Sequence, residues 1–181
     1  RMNFTTQAVP SRLESLVPYV DRSKRVIKSK TGELVWHYGK GLVAIQSDKA
    51  EGAVGFLGQH GAIELPSLRI VSPMHSGAIL LAALDGQPLA TSTSMLLQVM
   101  SEDRNFGWKT EAVGAGRKKI IDLGSPPIMV KNLEGTVELG SPNLRATALD
   151  WNGYPTSDIQ TGATIQLRPQ TLYYHIERVH P

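Results

Sequence analysis

Aromatic residues within polar turns are the strongest candidates for binding chemistry in this sequence. A sugar ring presents apolar C–H faces that stack on an indole or phenol ring, while its hydroxyls need hydrogen-bonding groups in the ring plane. Trp108 and Trp151 both stand beside such polar groups, in Gly-containing stretches where a large ring is hard to bury. The alternative for each is an indole folded over the end of the protein. The predicted carbohydrate-binding residues are Arg104, Asn105, Trp108, Trp151, Asn152 and Tyr154.

The third tryptophan stands in a different pattern. Leu34, Trp36 and Tyr38 alternate with Glu33, Val35 and His37, which is the period-two spacing of one face of a strand. This predicts packing in the core for Trp36. If neither Trp108 nor Trp151 binds sugar, Trp36 and Tyr38 are the next pair to consider.

Catalytic motifs are absent from the sequence. The histidines at positions 37, 60, 75, 175 and 180 form neither H-E-x-x-H nor H-x-H. The sequence has no G-x-S-x-G elbow and no phosphate-binding loop. Carboxylates are numerous, but a glycosidase needs two of them about 5 to 10 Å apart in a cleft, and spacing along a chain does not give that distance. We expect no catalytic residue and no enzymatic activity from this domain alone.

Carboxylates in turns have a structural explanation. Asp85 and Asp150 lie at predicted turns, where an aspartate commonly bonds to its own backbone. Asp48-x-x-Glu51 and Asp150-x-Asn152 offer oxygen ligands for calcium, but neither resembles an EF-hand loop. We therefore expect no cofactor and no metal site, with calcium as the one ion left open.

Composition restricts the classes of protein. The 181 residues are 41% hydrophobic and 19% charged, with a net charge of +3 and no cysteine, so disulfides and thiolate metal sites are excluded. No apolar run reaches the length of about 20 residues of a membrane helix. The one dense basic cluster, Arg117-Lys118-Lys119, is not interleaved with aromatics, so nucleic acid is not an expected partner.

The residues that would position the candidate site follow a strand pattern. From Arg25 onward the period is two, with turn signals about every ten residues, which predicts an antiparallel β-sandwich of ten to twelve short strands, jelly-roll or immunoglobulin-like. Residues 1–24 indicate a connecting segment after something larger, and 25–181 the sandwich domain. Residues 101–124, rich in glycine and charge, are predicted to be the longest irregular stretch. The predicted core is Ile79, Leu81, Leu84, Leu97, Val99, Val137, Leu149, Ile165, Leu167 and Tyr174.

Several short motifs occur in an order typical of one domain type. They are Thr31-Gly32-Glu33-Leu34 with Trp36, Gly55-Phe56-Leu57-Gly58, the stretch 84–89 followed by Ser92, Arg104-Asn105 with Gly107, and Pro126-Pro127-Ile128 with Gly135. Residues 25–178 thereby resemble the C-terminal all-β accessory domain of large bacterial multimodular glycoside hydrolases, which follows a (β/α)-barrel catalytic domain. Three loops depart from that pattern, at Lys30, at 47–49 and at 105–107.

The resemblance implies a non-catalytic carbohydrate-binding or accessory module of a secreted polysaccharide-degrading enzyme. Its partners would be a polysaccharide and the catalytic domain of the parent chain, and its location extracellular or periplasmic. Two alternatives stay open: a purely structural module that packs against the barrel, and an independent glycan-acting enzyme of sandwich fold. Exposed aromatic rings would favour the carbohydrate-binding module, and a flat apolar patch would favour the structural module. A cleft with converging carboxylates would favour the glycan-acting enzyme.

Overall fold

The fold is almost entirely antiparallel β-structure. A computed structural model describes residues 17–179, with 53% of the chain in strands and 4% in helix. This confirms the predicted all-β class and is consistent with a β-sandwich. The two helical segments of the described part, Val17–Tyr19 and Leu57–Gln59, are single 3-10 turns, and neither is long enough to cross a membrane. Of the predicted connecting segment, residues 1–16 lie outside the described residues.

The larger sheet has ten strands. Its first strand begins at Val20, within the segment predicted as a connection. The strand order is β1-β2-β3-β4-β5-β8-β9-β18-β15-β16, and every neighbouring pair is antiparallel. The strands are β1 Val20–Asp21, β2 Val26–Lys28, β3 Leu34–His37, β4 Leu42–Gln46, β5 Ala50–Gly55, β8 Gly77–Ala83, β9 Ser94–Ser101, β15 Leu144–Leu149, β16 Pro155–Thr161 and β18 Tyr173–Arg178.

A smaller sheet and a ribbon complete the described chain. The smaller sheet has four strands in the order β17-β14-β7-β6, which are β6 Ile63–Glu64, β7 Leu68–Val71, β14 Thr136–Leu139 and β17 Thr164–Gln166. We call residues 102–131 the ribbon. It consists of two successive two-stranded pairs, β10 Asp103–Phe106 with β13 Ser125–Val130, then β11 Lys109–Ala112 with β12 Lys118–Asp122.

The ribbon corrects one prediction. Residues 101–124 were expected to be irregular, because glycines and charges interrupt any alternation of apolar and polar residues. The structure forms four strands between 103 and 130, with register shifts at 105/106 and at 109/110. Backbone pairing needs no buried face, so a hairpin exposed on both sides carries no hydrophobic period to detect.

The core lies between the two sheets. Eight of the ten predicted core residues are buried, and Tyr174 is fully enclosed with its hydroxyl accepting a hydrogen bond from the Arg168 backbone N–H at 2.7 Å. Two predictions were wrong. Leu84 is exposed because β8 ends at Ala83 and the chain turns there, and Leu149 is only partly buried because it faces the other side of the sheet.

Trp36 also differs from prediction. Its side chain is 48% exposed and contacts Tyr38 edge-to-face, with ring centroids 5.8 Å apart. Trp36 pairs with Val43, whereas the residues of β4 that reach the core are the flanking Leu42 and Ala44. Leu34 and Trp36 do share one face of β3, as the alternation predicts. That face is the outer one, which the smaller sheet does not cover.

Candidate carbohydrate-binding site

The turn between β15 and β16 presents two aromatic rings. Asp150 accepts a backbone hydrogen bond from Gly153 at 3.0 Å, so Trp151 and Asn152 form the two corners of a tight turn. Gly153 follows with φ of +85°, the left-handed conformation that such a three-residue hairpin loop requires. The turn predicted at Asp150 is therefore confirmed.

Asp150 holds this turn in place. Its Oδ1 accepts hydrogen bonds from the backbone N–H of Asn152 at 2.9 Å and of Tyr154 at 2.8 Å, which is the structural role predicted for it. Trp151 is 65% exposed and Tyr154 is 68% exposed. Two apolar ring faces thus stand on a turn fixed by its own side chain, beside the exposed amide of Asn152. A sugar could stack on such a surface without any rearrangement of the backbone.

The second predicted set lies on the ribbon and is less available. Asn105 donates its side-chain N–H to the carbonyl of Leu123 at 3.0 Å, and Arg104 bonds Glu102 at 3.2 Å. Trp108 is only partly exposed. The polar partners of Trp108 are therefore already used within the ribbon and at its base, which leaves the turn at 150–154 as the stronger candidate.

Both predicted sets are carried at the same end of the large sheet. The chain enters the ribbon directly after Ser101, the last residue of β9. In β18, Tyr173 pairs with Gln98 of β9 and also with Leu149, the last residue of β15. The ribbon and the turn at 150–154 therefore leave the sheet in the same direction, with β18 as the one strand between their parent strands. Sequence spacing alone could not show this.

A third aromatic group lies at the opposite edge of the sheet. Trp36 and Tyr38, with Val20, Arg22 and Ile27, line a shallow depression of about 400 Å³. Strand register places Trp36 on the surface, and no local sequence signal distinguishes it from a core residue.

Two further carboxylates, Glu51 and Asp85, have structural roles. Glu51 is buried, and its two oxygens accept hydrogen bonds from the backbone N–H and the hydroxyl of Ser67, each at 2.8 Å. Asp85 accepts bonds from the Thr93 and Gln87 backbones and from the Ser92 hydroxyl. Across residues 17–179, no group of three or more histidine or acidic side chains is arranged to hold a metal ion.

The loop held by Asp85 gives a testable pH dependence. The hydrogen bond from the Thr93 backbone, followed by those from Gln87 and Ser92, holds the pKa of Asp85 well below its ordinary value. A depressed folded-state pKa stabilises the protein above the unfolded pKa of about 3.9, and this stability is lost as the pH falls further.

We therefore expect Asp85→Asn to be less stable than the parent protein at pH 7, with a difference that narrows as the pH is lowered from about 5 to about 2. Urea unfolding at a series of pH values measures it, with Asp48→Asn at an exposed position as control. A difference that stays constant over this range would contradict the proposed role of the carboxylate.

No protein-family model matches this chain, and neither a curated protein nor a solved structure matches it. The fold and the surface therefore define the protein only as an antiparallel all-β protein that is consistent with a β-sandwich and has an exposed aromatic turn at one end of its larger sheet.

Proposed function

We propose that this chain is a non-catalytic accessory module that holds polysaccharide for a secreted polysaccharide-degrading enzyme. The observation that carries the proposal is the turn at 150–154, where Trp151 and Tyr154 stand largely exposed. Large aromatics contribute much of the binding energy at protein interfaces, so two exposed rings on one short turn are a plausible binding platform.

The geometry of the turn suits a sugar better than a small apolar ligand. Both rings are about two-thirds exposed, so a ligand would cover only part of each ring. A pyranose has a flat apolar face for that contact and keeps its hydroxyls in water or on groups such as Asn152. Because the contact area is small, we expect a dissociation constant on the order of 0.01 to 1 mM for an oligosaccharide.

The test is removal of the ring. Trp151→Ala should weaken binding at least about tenfold in affinity electrophoresis or pull-down against a panel of polysaccharides such as cellulose, xylan and chitin. Its free energy of unfolding should change by less than about 0.5 kcal/mol, because the ring is exposed and supports no core contact.

Trp108→Ala is the matched control, since it removes the same ring from the ribbon and should leave binding unchanged. Loss of binding in Trp108→Ala alone would move the site to the ribbon. If the parent protein bound none of the polysaccharides, or if both alanine variants bound as well as the parent, the proposed platform would be wrong.

A further inference from the structure

The outer faces of the two sheets differ in chemistry. On the smaller sheet, Arg69 bridges Glu64 at 2.8 Å and Glu138 at 3.5 Å across three neighbouring strands. Ion pairs of this kind, with both partners substantially exposed, are typical of a surface that faces water. The outer face of the smaller sheet therefore needs no partner.

The outer face of the larger sheet carries an apolar patch, with its charged side chains Arg145 and Glu177 set apart on β15 and β18. Directly opposed residues of an antiparallel sheet stand on the same face, so each chain of pairings traces one row of side chains. Six such residues, all with partial or full exposure, form an uninterrupted apolar row across β2, β3, β4, β5, β8 and β9. The row is Ile27, Trp36, Val43, Val54, Ala78 and Met100.

A second row lies two residues along the strands and continues to the other edge of the sheet. It runs through Leu34, Ile45, Gly52, Leu80, Gln98, Tyr173, Leu149 and Pro155. Neither row contains a charged side chain. Five strand spacings give the first row a length of about 24 Å, and where the two rows lie side by side they cover roughly 500 Å². A patch of this size is at the upper end of what a monomer leaves exposed.

The ribbon is a second apolar surface without a partner. Its strands pair only with each other, and its tip strands β11 and β12 are exposed throughout. Exposed apolar side chains stand on both of its faces. A two-stranded ribbon is only marginally stable in water, so this element gains more than the sheet does from being covered. These side chains are Phe106, Val113, Ile120, Ile121, Leu123, Ile128 and Met129.

We propose that the ribbon of a second copy of this chain covers the outer face of the larger sheet, and that the exchange is reciprocal. The ribbon leaves the sheet beyond Met100, and the exposure of Trp36 and Val54 shows that it does not cover the outer face of its own chain. Its arms are about 11 residues long, or roughly 35 Å, which is enough to cross the 24 Å row on another molecule.

The areas favour this arrangement over contact through the faces alone. A stable interface buries about 800 Å² on each partner, more than the outer face by itself offers. Face and ribbon together reach that area, because each copy would contribute both. Reciprocal contacts close around a two-fold axis, so neither the outer face nor the ribbon stays free to add further copies.

Light scattering after size exclusion tests the association. We expect the parent protein to elute at twice its chain mass of 19.7 kDa. Val54→Lys on the outer face and Ile121→Lys on the ribbon should each raise the dissociation constant at least about tenfold, because each buries a charge at the contact. The control Thr164→Lys adds the same charge to the outer face of the smaller sheet and should leave the dimer intact. A parent protein that stays monomeric up to roughly 1 mM would overturn the proposal and leave the face to another folded domain.

Crosslinking tests the arrangement, and the absence of cysteine from the sequence leaves no background thiols. Chains carrying Val54→Cys are mixed with differently tagged chains carrying Ile121→Cys and treated with a short bis-maleimide. Crosslinks between the two kinds of chain are expected to dominate. A dimer that crosslinks only between two Val54→Cys chains would show that the faces meet directly, which contradicts the exchange. Neither experiment involves the turn at 150–154, so its outcome is independent of sugar binding.

Discussion

Leu81→Ala is expected to lower the free energy of unfolding by about 2 to 5 kcal/mol. Leu81 is 1% exposed and lies in the middle of β8, the strand between β5 and β9. On its inner face it has Leu97 directly opposite on β9, and Leu97 in turn pairs with Tyr174 on β18. Removal of the branched end leaves a cavity that a sheet paired on both sides cannot close. Chemical denaturation monitored by circular dichroism measures the loss.

Leu84→Ala is the matched control from the same stretch of sequence. Three residues further on, Leu84 is 55% exposed, and its truncation should change the free energy of unfolding by less than about 0.5 kcal/mol. Equal losses in the two variants would mean that Leu84 is buried and that the end of β8 is placed wrongly.

Gly55→Ala is expected to lower the free energy of unfolding by about 3 kcal/mol or more. Gly55 has φ of +139°, in a region that residues with a side chain rarely adopt. A Cβ there would overlap the carbonyl oxygen of Gly41, on the strand connection that faces it, so the backbone itself would have to move. The strain and the overlap act on the pairing of β4 with β5 at the centre of the sheet.

Gly140→Ala provides the comparison for Gly55. A Cβ at Gly140 meets no atom within 4 Å, so this change should be neutral or slightly stabilising. Thermal denaturation of both variants compares their melting temperatures. The difference between them separates the strain at Gly55 from the general effect of replacing a glycine by alanine. A Gly55→Ala protein as stable as the parent would show that the approach of Gly55 to Gly41 is looser than the structure indicates.

These stability effects bear on how the functional tests are interpreted. The turn at 150–154 lies beyond the end of β15, outside the core, and its own aspartate holds it. A loss of sugar binding in Trp151→Ala without a loss of stability would therefore report on the ring alone. The same separation holds for Val54→Lys, since Val54 faces away from the core.

The local patterns of the sequence predicted much of the fold. The period of two from residue 25 onward predicted the all-β class, which the structure confirms. Asp150 and the glycine at 153 predicted a tight turn because the chemistry of a turn is contained in four or five neighbouring residues. An exposed Trp151 followed from the same argument, since a turn leaves little protein around a ring.

Only the tertiary structure decided which apolar face is covered and what lies beside what. Trp36 and Leu81 both stand in regular strands, but Leu81 faces the smaller sheet and Trp36 faces away from it. Pairing between strands that are distant in sequence sets that difference. The ribbon escaped prediction because backbone hydrogen bonds leave no hydrophobic period when neither face is buried. The sequence by itself therefore determined the strands and turns of this protein. Contacts between distant residues decide that one sheet face stays apolar and exposed. They also place the ribbon and the turn at 150–154 at the same end of the larger sheet, which no local pattern contains.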